Sequence, residues 1–139
     1  MSSPAHQLAF HAAVVLLFGL ALGIPYGRAI NRSAPAQIVN SWRVAHQGLP
    51  IAATLMLAIA ALLDSLSVAP AVRWFLAVTL IISSYSFCLS MPLAAMTGHR
   101  GLSSGGVGLQ RAVLLGNVLG AGFSAVAALA LLYATAVSL

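Results

Sequence analysis

Charged residues are scarce in this sequence, and acidic residues most of all. Of its 139 residues 5% are charged, Asp64 is the only acidic one, and lysine is absent. A soluble domain carries about 25% charged residues. A single carboxylate excludes the paired acids of a glycosidase and a carboxylate cage for a hard metal ion. It also lies roughly 27 Å along a helix from His46, too far to complete a Ser-His-Asp triad.

Cysteine is equally scarce, since Cys88 is the only one. An intramolecular disulfide and a CxxC metal or redox motif are therefore both excluded. One cysteine does not indicate whether the chain is in an oxidising or a reducing compartment.

Hydrophobic side chains make up 61% of the chain, whose mean hydropathy is +1.04. Because a membrane span takes roughly 20 residues, the length accommodates four spans in one domain. We predict an all-α integral membrane four-helix bundle. The predicted spans cover residues 7–26, 41–63, 72–96 and 109–137. No basic residue precedes the first apolar run, which is longer than the core of a signal peptide, so we expect this span to be retained.

The arginines predict how the chain is oriented in the membrane. Most fall in or next to the first and third loops, namely Arg28, Arg32, Arg43, Arg100 and Arg111, whereas Arg73 follows the second loop. The positive-inside rule therefore places loops 1 and 3 in the cytoplasm and both termini outside, in a plasma (inner) membrane. Arginines at span ends indicate a lipid bilayer as partner and no nucleic acid.

The stretch SWRVAHQGLPIA places His46 inside the predicted second span. A polar group in hydrocarbon needs a partner, so an intramembrane histidine is a candidate functional residue. Trp42 and Pro50 share its helical face, and Pro50 leaves the His46 carbonyl without its helical donor. One nitrogen base in an apolar groove suits haem, with Arg43 placed to meet the propionates. The alternative is a packing histidine bonded to a serine or a carbonyl.

The predicted third span carries a polar cluster that has two interpretations. Its members are Ser83, Ser84, Tyr85, Ser86, Cys88 and Ser90. They form either interhelical hydrogen bonds or a face that lines a substrate site. Ser90 and Met91 are expected at the depth of His46, with Tyr85 deeper. Met91 is either a core-filling side chain or an iron ligand from a neighbouring subunit, and a Met/His pair would indicate electron transfer.

Glycine pairs predict close packing in the first and fourth spans. Gly19 and Gly23 are spaced four apart, as are Gly116 and Gly120, next to Asn117. Small residues at this spacing let a neighbouring helix approach closely. His11, near the outer end of the first span, is expected to be interfacial or to pack between helices, and His99 in loop 3 to be solvated.

Three stretches together resemble a known family. They are LAFHAAVVLLFGLALG in the first span, WRVAHQG opening the second, and HRGLSSGG after the third. In number and order of spans the chain is similar to the small four-span membrane proteins that include styrene oxide isomerase and hydroxylaminobenzene mutase. The most specific matching positions are His11, Trp42, Ala45, His46, Gly48 and the turn Arg100-Gly101-Leu102.

This resemblance implies a homotrimer with ferric haem b between neighbouring subunits and His46 as the axial ligand. The iron would act as a Lewis acid on a small aromatic epoxide, whose ring opens to a benzylic cation, and a hydride shift would give the aldehyde without redox turnover. The mutase relatives imply conversion of an aryl hydroxylamine to an aminophenol. The residues expected to contact the cofactor are Trp42, Arg43, His46, Pro50, Met91 and Arg100.

The chain differs from the isomerase pattern at two positions. Ala52 stands where the isomerases have an asparagine, and Met91 stands where they have a tyrosine in the third span. The candidates to replace these polar groups in catalysis are Tyr85, Ser90 and Asn117. The rival hypothesis is a non-catalytic membrane protein, either a haem carrier or sensor or a packing subunit. A small transporter would require intramembrane charges or duplicated halves, and the sequence has neither.

Overall fold

The structure, a computed structural model, describes residues 1–99 and 108–139. Within those ranges the chain forms helices and no strand. The helices are α1 (Ser3–Ala21), α2 (Gly23–Asn31), α3 (Ala36–Leu62), α4 (Pro70–Thr97) and α5 (Leu109–Ala136). By length and hydropathy α1 and α2 together form one candidate membrane span, and α3, α4 and α5 form three more. The predicted all-α, four-span membrane fold is confirmed.

The first span ends later than predicted. Its helix breaks at Leu22 and then continues as α2 to Asn31, so that Pro25 and Gly27 lie inside a helix. Pro25 is the third residue of α2. A backbone N–H in the first turn has no helical acceptor, so its absence in proline costs little there. The first loop consequently shrinks to residues 32–35.

The second span begins earlier than predicted. Helix α3 starts at Ala36, directly after Pro35, and the Ser41 hydroxyl donates to the Gln37 carbonyl at 2.9 Å inside the helix instead of capping it. His46 therefore lies about three turns from the start of its helix rather than a turn and a half. The bounds of α4 and α5 differ from the predicted spans by two residues or fewer, and Pro50 and Pro92 lie within continuous helices.

Glycines allow the closest helix contacts. A Cβ on Gly19 would lie 2.6 Å from Cδ of Pro50, so α1 approaches α3 there at a distance that only glycine permits. A Cβ on Gly120 would lie 2.8 Å from the Phe87 ring, between α5 and α4. The predicted close packing of the first and fourth spans is confirmed at both places.

The bundle has a narrow core, and large apolar side chains face outwards. Val15, Ala45 and Leu49 are almost fully buried in the middle of the bundle, whereas Leu17 is 72% and Ile51 70% exposed. A surface of this kind is stable when lipid covers it.

Polar contacts join both chain termini to the connection between α3 and α4. The Ser2 N–H donates to Asp64 at 2.8 Å, and the Ser67 N–H donates to the Ser138 hydroxyl at 2.8 Å. Arg73 donates to the Leu66 carbonyl at 2.8 Å at the same end. The only carboxylate side chain thus lies at the end of the bundle opposite α2 and the start of α3.

Candidate functional site

The partner of His46 is a backbone carbonyl of the first span. Nδ1 of His46 lies 3.0 Å from the carbonyl oxygen of Gly19, and the ring is partly buried between α1 and α3. The contact depends on the glycine, because any side chain at position 19 would collide with Pro50 and move α1 away from α3. A carbonyl oxygen has two lone pairs and can accept a second bond besides a helical one.

This hydrogen bond determines the protonation pattern of the imidazole. A carbonyl only accepts, so Nδ1 of His46 carries the hydrogen and donates it to Gly19. In the neutral ring Nε2 then has the lone pair. Metal-binding histidines share this arrangement, because a carbonyl bonded to one ring nitrogen orients the ring and raises the basicity of the other.

A second glycine packs directly against the imidazole of His46. A Cβ on Gly23 would lie 3.1 Å from Cε1 and 3.5 Å from Nε2 of His46. The Tyr26 ring lies further along α2, with its centroid 6.0 Å from that of His46 and its plane tilted by 30°. The sequence alone does not single out Tyr26 as a site residue, because it lies at the predicted end of the first span.

An open cavity of about 380 Å³ continues from Tyr26 along α3. Its lining includes Ala36, Val39, Asn40 and Arg43. Val39, Arg43 and His46 follow one another at spacings of four and three, so they lie on one helical face. The Arg43 guanidinium donates to the Asn40 side chain at 2.5 Å and is otherwise exposed. One cation and one imidazole therefore face the same side of the bundle.

Two other residues expected near the cofactor lie one turn before and one turn after His46 on α3. Pro50 packs against Gly19, one turn below His46 on the same helix. Trp42 packs against the core cluster of Val15, Leu22 and Leu49 and borders a cavity between α2 and α3. Arg100 lies outside the described residues, as do Gly101 and Leu102.

Met91 lies on another side of α3. Its Cε would be 3.7 Å from a Cβ on Gly48, which is about 200° around the helix from His46. Ala52 follows Gly48 by four residues and shares that side. His46 thus lies on one face of α3, and the two positions at which the chain departs from the isomerase pattern, Ala52 and Met91 of α4, are both found at the opposite face.

That face borders a groove between α3, α4 and α5 with a volume of about 340 Å³. It is lined by Asn40, Ser41, Val44, Met91, Ala94 and Asn117. Two amides and a hydroxyl among apolar side chains suit a small apolar molecule that carries one polar group.

Tyr85 is paired with a histidine other than His46. Its hydroxyl lies 2.9 Å from Nδ1 of His11, with the two rings edge to face at 5.6 Å. His11 precedes Gly19 by eight residues, so this pair is about 12 Å along α1 from the His46 contact. The structure therefore separates Tyr85 from His46, and His11 packs between helices as expected.

Two of the serines on α4 form interhelical hydrogen bonds, as the first interpretation of the cluster predicted, whereas Ser86 donates to the Ile82 carbonyl of its own helix at 2.8 Å. Ser83 donates to the Gly120 carbonyl at 2.8 Å and pairs with Ser124, and Ser84 donates to the Met56 sulfur at 3.0 Å. Ser90 differs, because its hydroxyl is fully buried against Gly116 and has no partner within the described residues. Of the three proposed catalytic residues, only Asn117 lines the groove.

No three histidine, cysteine, aspartate or glutamate side chains in residues 1–99 and 108–139 lie close enough together to hold a metal ion. That part of the chain offers no metal cage built from protein side chains alone. Haem iron requires only one protein ligand, because the porphyrin supplies four nitrogens.

Comparison with known proteins bears on the family to which the chain belongs. No curated protein matches the chain. The family model described as styrene oxide isomerase matches residues 4–137, nearly the whole sequence. Membership supports an isomerase activity in general terms. The resemblance noted in the sequence is thereby confirmed, and this four-span membrane protein belongs to the styrene oxide isomerase family.

Proposed function

We propose that this protein is a membrane-bound, haem b-dependent isomerase that converts a small aromatic epoxide into an aldehyde, with His46 as the axial iron ligand. The observation that carries the proposal is the hydrogen bond from Nδ1 of His46 to the Gly19 carbonyl at 3.0 Å. It leaves the lone pair on Nε2, which is the form of imidazole that binds a metal.

The residues around His46 fit haem in three respects. Gly23 places no side chain next to the imidazole, whereas a Cβ there would lie 3.5 Å from Nε2. Arg43 lies on the same face, one turn closer to the start of α3, where a guanidinium could pair with a propionate. The outward-facing side of the bundle is apolar, as a buried porphyrin requires.

The chemistry agrees with the shortage of acids. When bound, ferric haem would supply a Lewis acid for the epoxide oxygen. The conversion is an isomerisation, so no atoms, protons or electrons enter or leave overall. Such a reaction does not require a carboxylate as acid or base. The one carboxylate side chain of this protein, Asp64, lies at the other end of the bundle from His46.

The groove at Met91 and Asn117 is our candidate for the substrate side of the site. Because it lies on the face of α3 opposite His46, one copy cannot present both to the same small molecule. We therefore include a homotrimer in the proposal, in which the groove of one subunit faces His46 of its neighbour. The arginine-bearing end of the bundle would face the cytoplasm.

A second candidate is rearrangement of an aryl hydroxylamine to an aminophenol. The observation that favours it is the loss of the isomerases' two polar groups at Ala52 and Met91, on one side of α3. The polar groups that remain in the groove are two amides and the Ser41 hydroxyl.

The test is the visible absorption spectrum of the detergent-purified protein, before and after dithionite. A Soret band that shifts on reduction is expected, and His46→Ala should lose it while the protein stays helical by circular dichroism. His99→Ala, at an exposed histidine, is the matched control and should keep the band. A preparation that stays colourless with added haemin would overturn the cofactor assignment. Assays with styrene oxide and phenylhydroxylamine then separate the two activities, and a haem protein inactive on both would be a carrier or sensor.

A further inference from the structure

A second cavity lies on α2, in a part of the molecule that the proposed reaction does not use. It has a volume of about 270 Å³ and lies between α2 and the start of α3. Its lining includes Pro25, Arg28, Ala29 and Arg32 from α2 and its cap, and Ile38 and Trp42 from α3. The spacing of the first four places them on one helical face. We call this cavity the Arg28–Arg32 groove.

The two guanidiniums in this groove lack a counter-charge. In the described part of the chain neither Arg28 nor Arg32 has a side-chain hydrogen bond or an ion pair. Asp64, the only acidic residue, is bonded to Ser2 at the opposite end of the bundle. Two positive charges one turn apart repel each other unless an anion lies between them.

The position of the groove along the span places it at the level of the lipid headgroups. The span Ser3–Asn31 contains 29 residues. At about 1.5 Å per residue it is roughly 43 Å long, whereas the hydrocarbon core is only about 30 Å thick. The surplus lets Arg28 and Arg32 lie outside the hydrocarbon, where charged side chains are stable. Trp42, half-buried at the base of the groove, is the residue type typical of this interface.

We propose that the Arg28–Arg32 groove binds the headgroup of an anionic phospholipid, with both guanidiniums on its phosphate oxygens. Two uncompensated positive charges favour an anionic over a zwitterionic headgroup. The apolar base of Pro25, Ile38 and Trp42 favours a lipid over free phosphate, because it can cover the glycerol and the upper acyl chain. The site is separate from the proposed haem site at His46.

The experiment is native mass spectrometry of the detergent-solubilised protein with equimolar phosphatidylglycerol and phosphatidylcholine of identical acyl chains. The unaltered protein should retain phosphatidylglycerol in preference. An arginine near an anionic lipid surface contributes about a fivefold change in binding affinity. Arg28→Gln and Arg32→Gln should therefore each reduce the preference for phosphatidylglycerol about fivefold. Arg111→Gln removes the same charge from an exposed position at the same end and is the matched control, expected to keep the preference.

Four results would overturn this assignment. Equal retention of both lipids by the unaltered protein would show that the groove has no anionic preference, and an unchanged preference in both groove variants would place the lipid elsewhere. Loss of the preference in excess inorganic phosphate, at constant ionic strength, would indicate a free-anion site. Retention of the preference in His46→Ala is expected, whereas its loss there would show that lipid binding depends on the proposed haem site and that the groove is not a separate lipid site.

Discussion

The imidazole of His46 on α3 donates its Nδ1 hydrogen to the carbonyl of Gly19 on α1, at 3.0 Å and across 27 positions of the chain. The same glycine is the point at which α1 touches Pro50. One residue thus controls both the distance between the two helices and the orientation of the candidate ligand.

Gly19→Ala should therefore weaken the proposed haem site from a distance. Its methyl group would lie 2.6 Å from Cδ of Pro50, so α1 and α3 must separate. We expect a loss of about 1–3 kcal/mol in the free energy of unfolding, as for other overpacked sites, together with a lower Soret absorbance. Gly122→Ala is the control, because a methyl group there meets nothing within 4 Å. Equal effects of the two substitutions would contradict the role assigned to Gly19.

Gly23→Val tests whether haem binding needs the absence of a side chain beside the imidazole of His46. Even the Cβ at this position would lie 3.5 Å from Nε2, and a branched side chain fills more of the space. We expect the purified variant to contain less haem while its helical circular dichroism is unchanged. Gly27→Val adds the same group to the same helix where nothing lies within 4 Å of the new Cβ, and it should load normally. Full haem occupancy in Gly23→Val would show that iron does not approach from this side.

Tyr85→Phe should affect stability and not colour. The hydroxyl is 2.9 Å from Nδ1 of His11, and interhelical hydrogen bonds in membranes are worth about 0.6 kcal/mol on average. A double-mutant cycle with His11→Ala, read by thermal unfolding in detergent, measures the coupling. Loss of isomerase activity at unchanged stability would instead make Tyr85 a catalytic residue.

Mixing two inactive variants tests the sharing of a site between subunits. His46→Ala should lose the cofactor, and Val44→Trp should fill the groove with a bulky side chain. If the site is formed by two copies, co-expression of the two variants with different affinity tags should restore activity in the doubly purified oligomer. An inactive mixed oligomer would indicate that each chain works alone. This prediction rests on the proposed function.

Asp64→Asn should loosen the end of the bundle that carries both termini in a pH-dependent way. The nearby Ser2 hydroxyl and the hydrogen bond from the Ser2 N–H hold the pKa of the Asp64 carboxyl below its ordinary value of 3.8. A lowered folded-state pKa means that the ionised carboxylate stabilises the fold above pH 3.8, and this contribution is lost as the pH falls through the folded-state pKa. The melting temperatures of the unaltered protein and Asp64→Asn should differ at neutral pH and converge in acid. A difference that is constant with pH would point to packing instead of charge.

The sequence alone was enough to predict the fold class. Four apolar segments with arginines at their ends predict four membrane spans, because composition and length decide whether a helix is stable in lipid. The span ends were predicted less well. Serine is a residue type that often caps a helix, so Ser41 suggests a start there, yet α3 begins at Ala36, directly after Pro35. The break at Leu22 has no proline or glycine at its own position.

The sequence also determined that His46 needs a partner, since an imidazole inside an apolar helix is costly when left unpaired. Only the tertiary structure decided that the partner is the Gly19 carbonyl, that Tyr85 belongs to His11, and that Met91 lies on the side of Gly48. Spacing along one helix fixes which of its residues share a face. How each helix is rotated about its axis, and which atoms of its neighbour it meets, depends on packing between segments that are far apart in the chain.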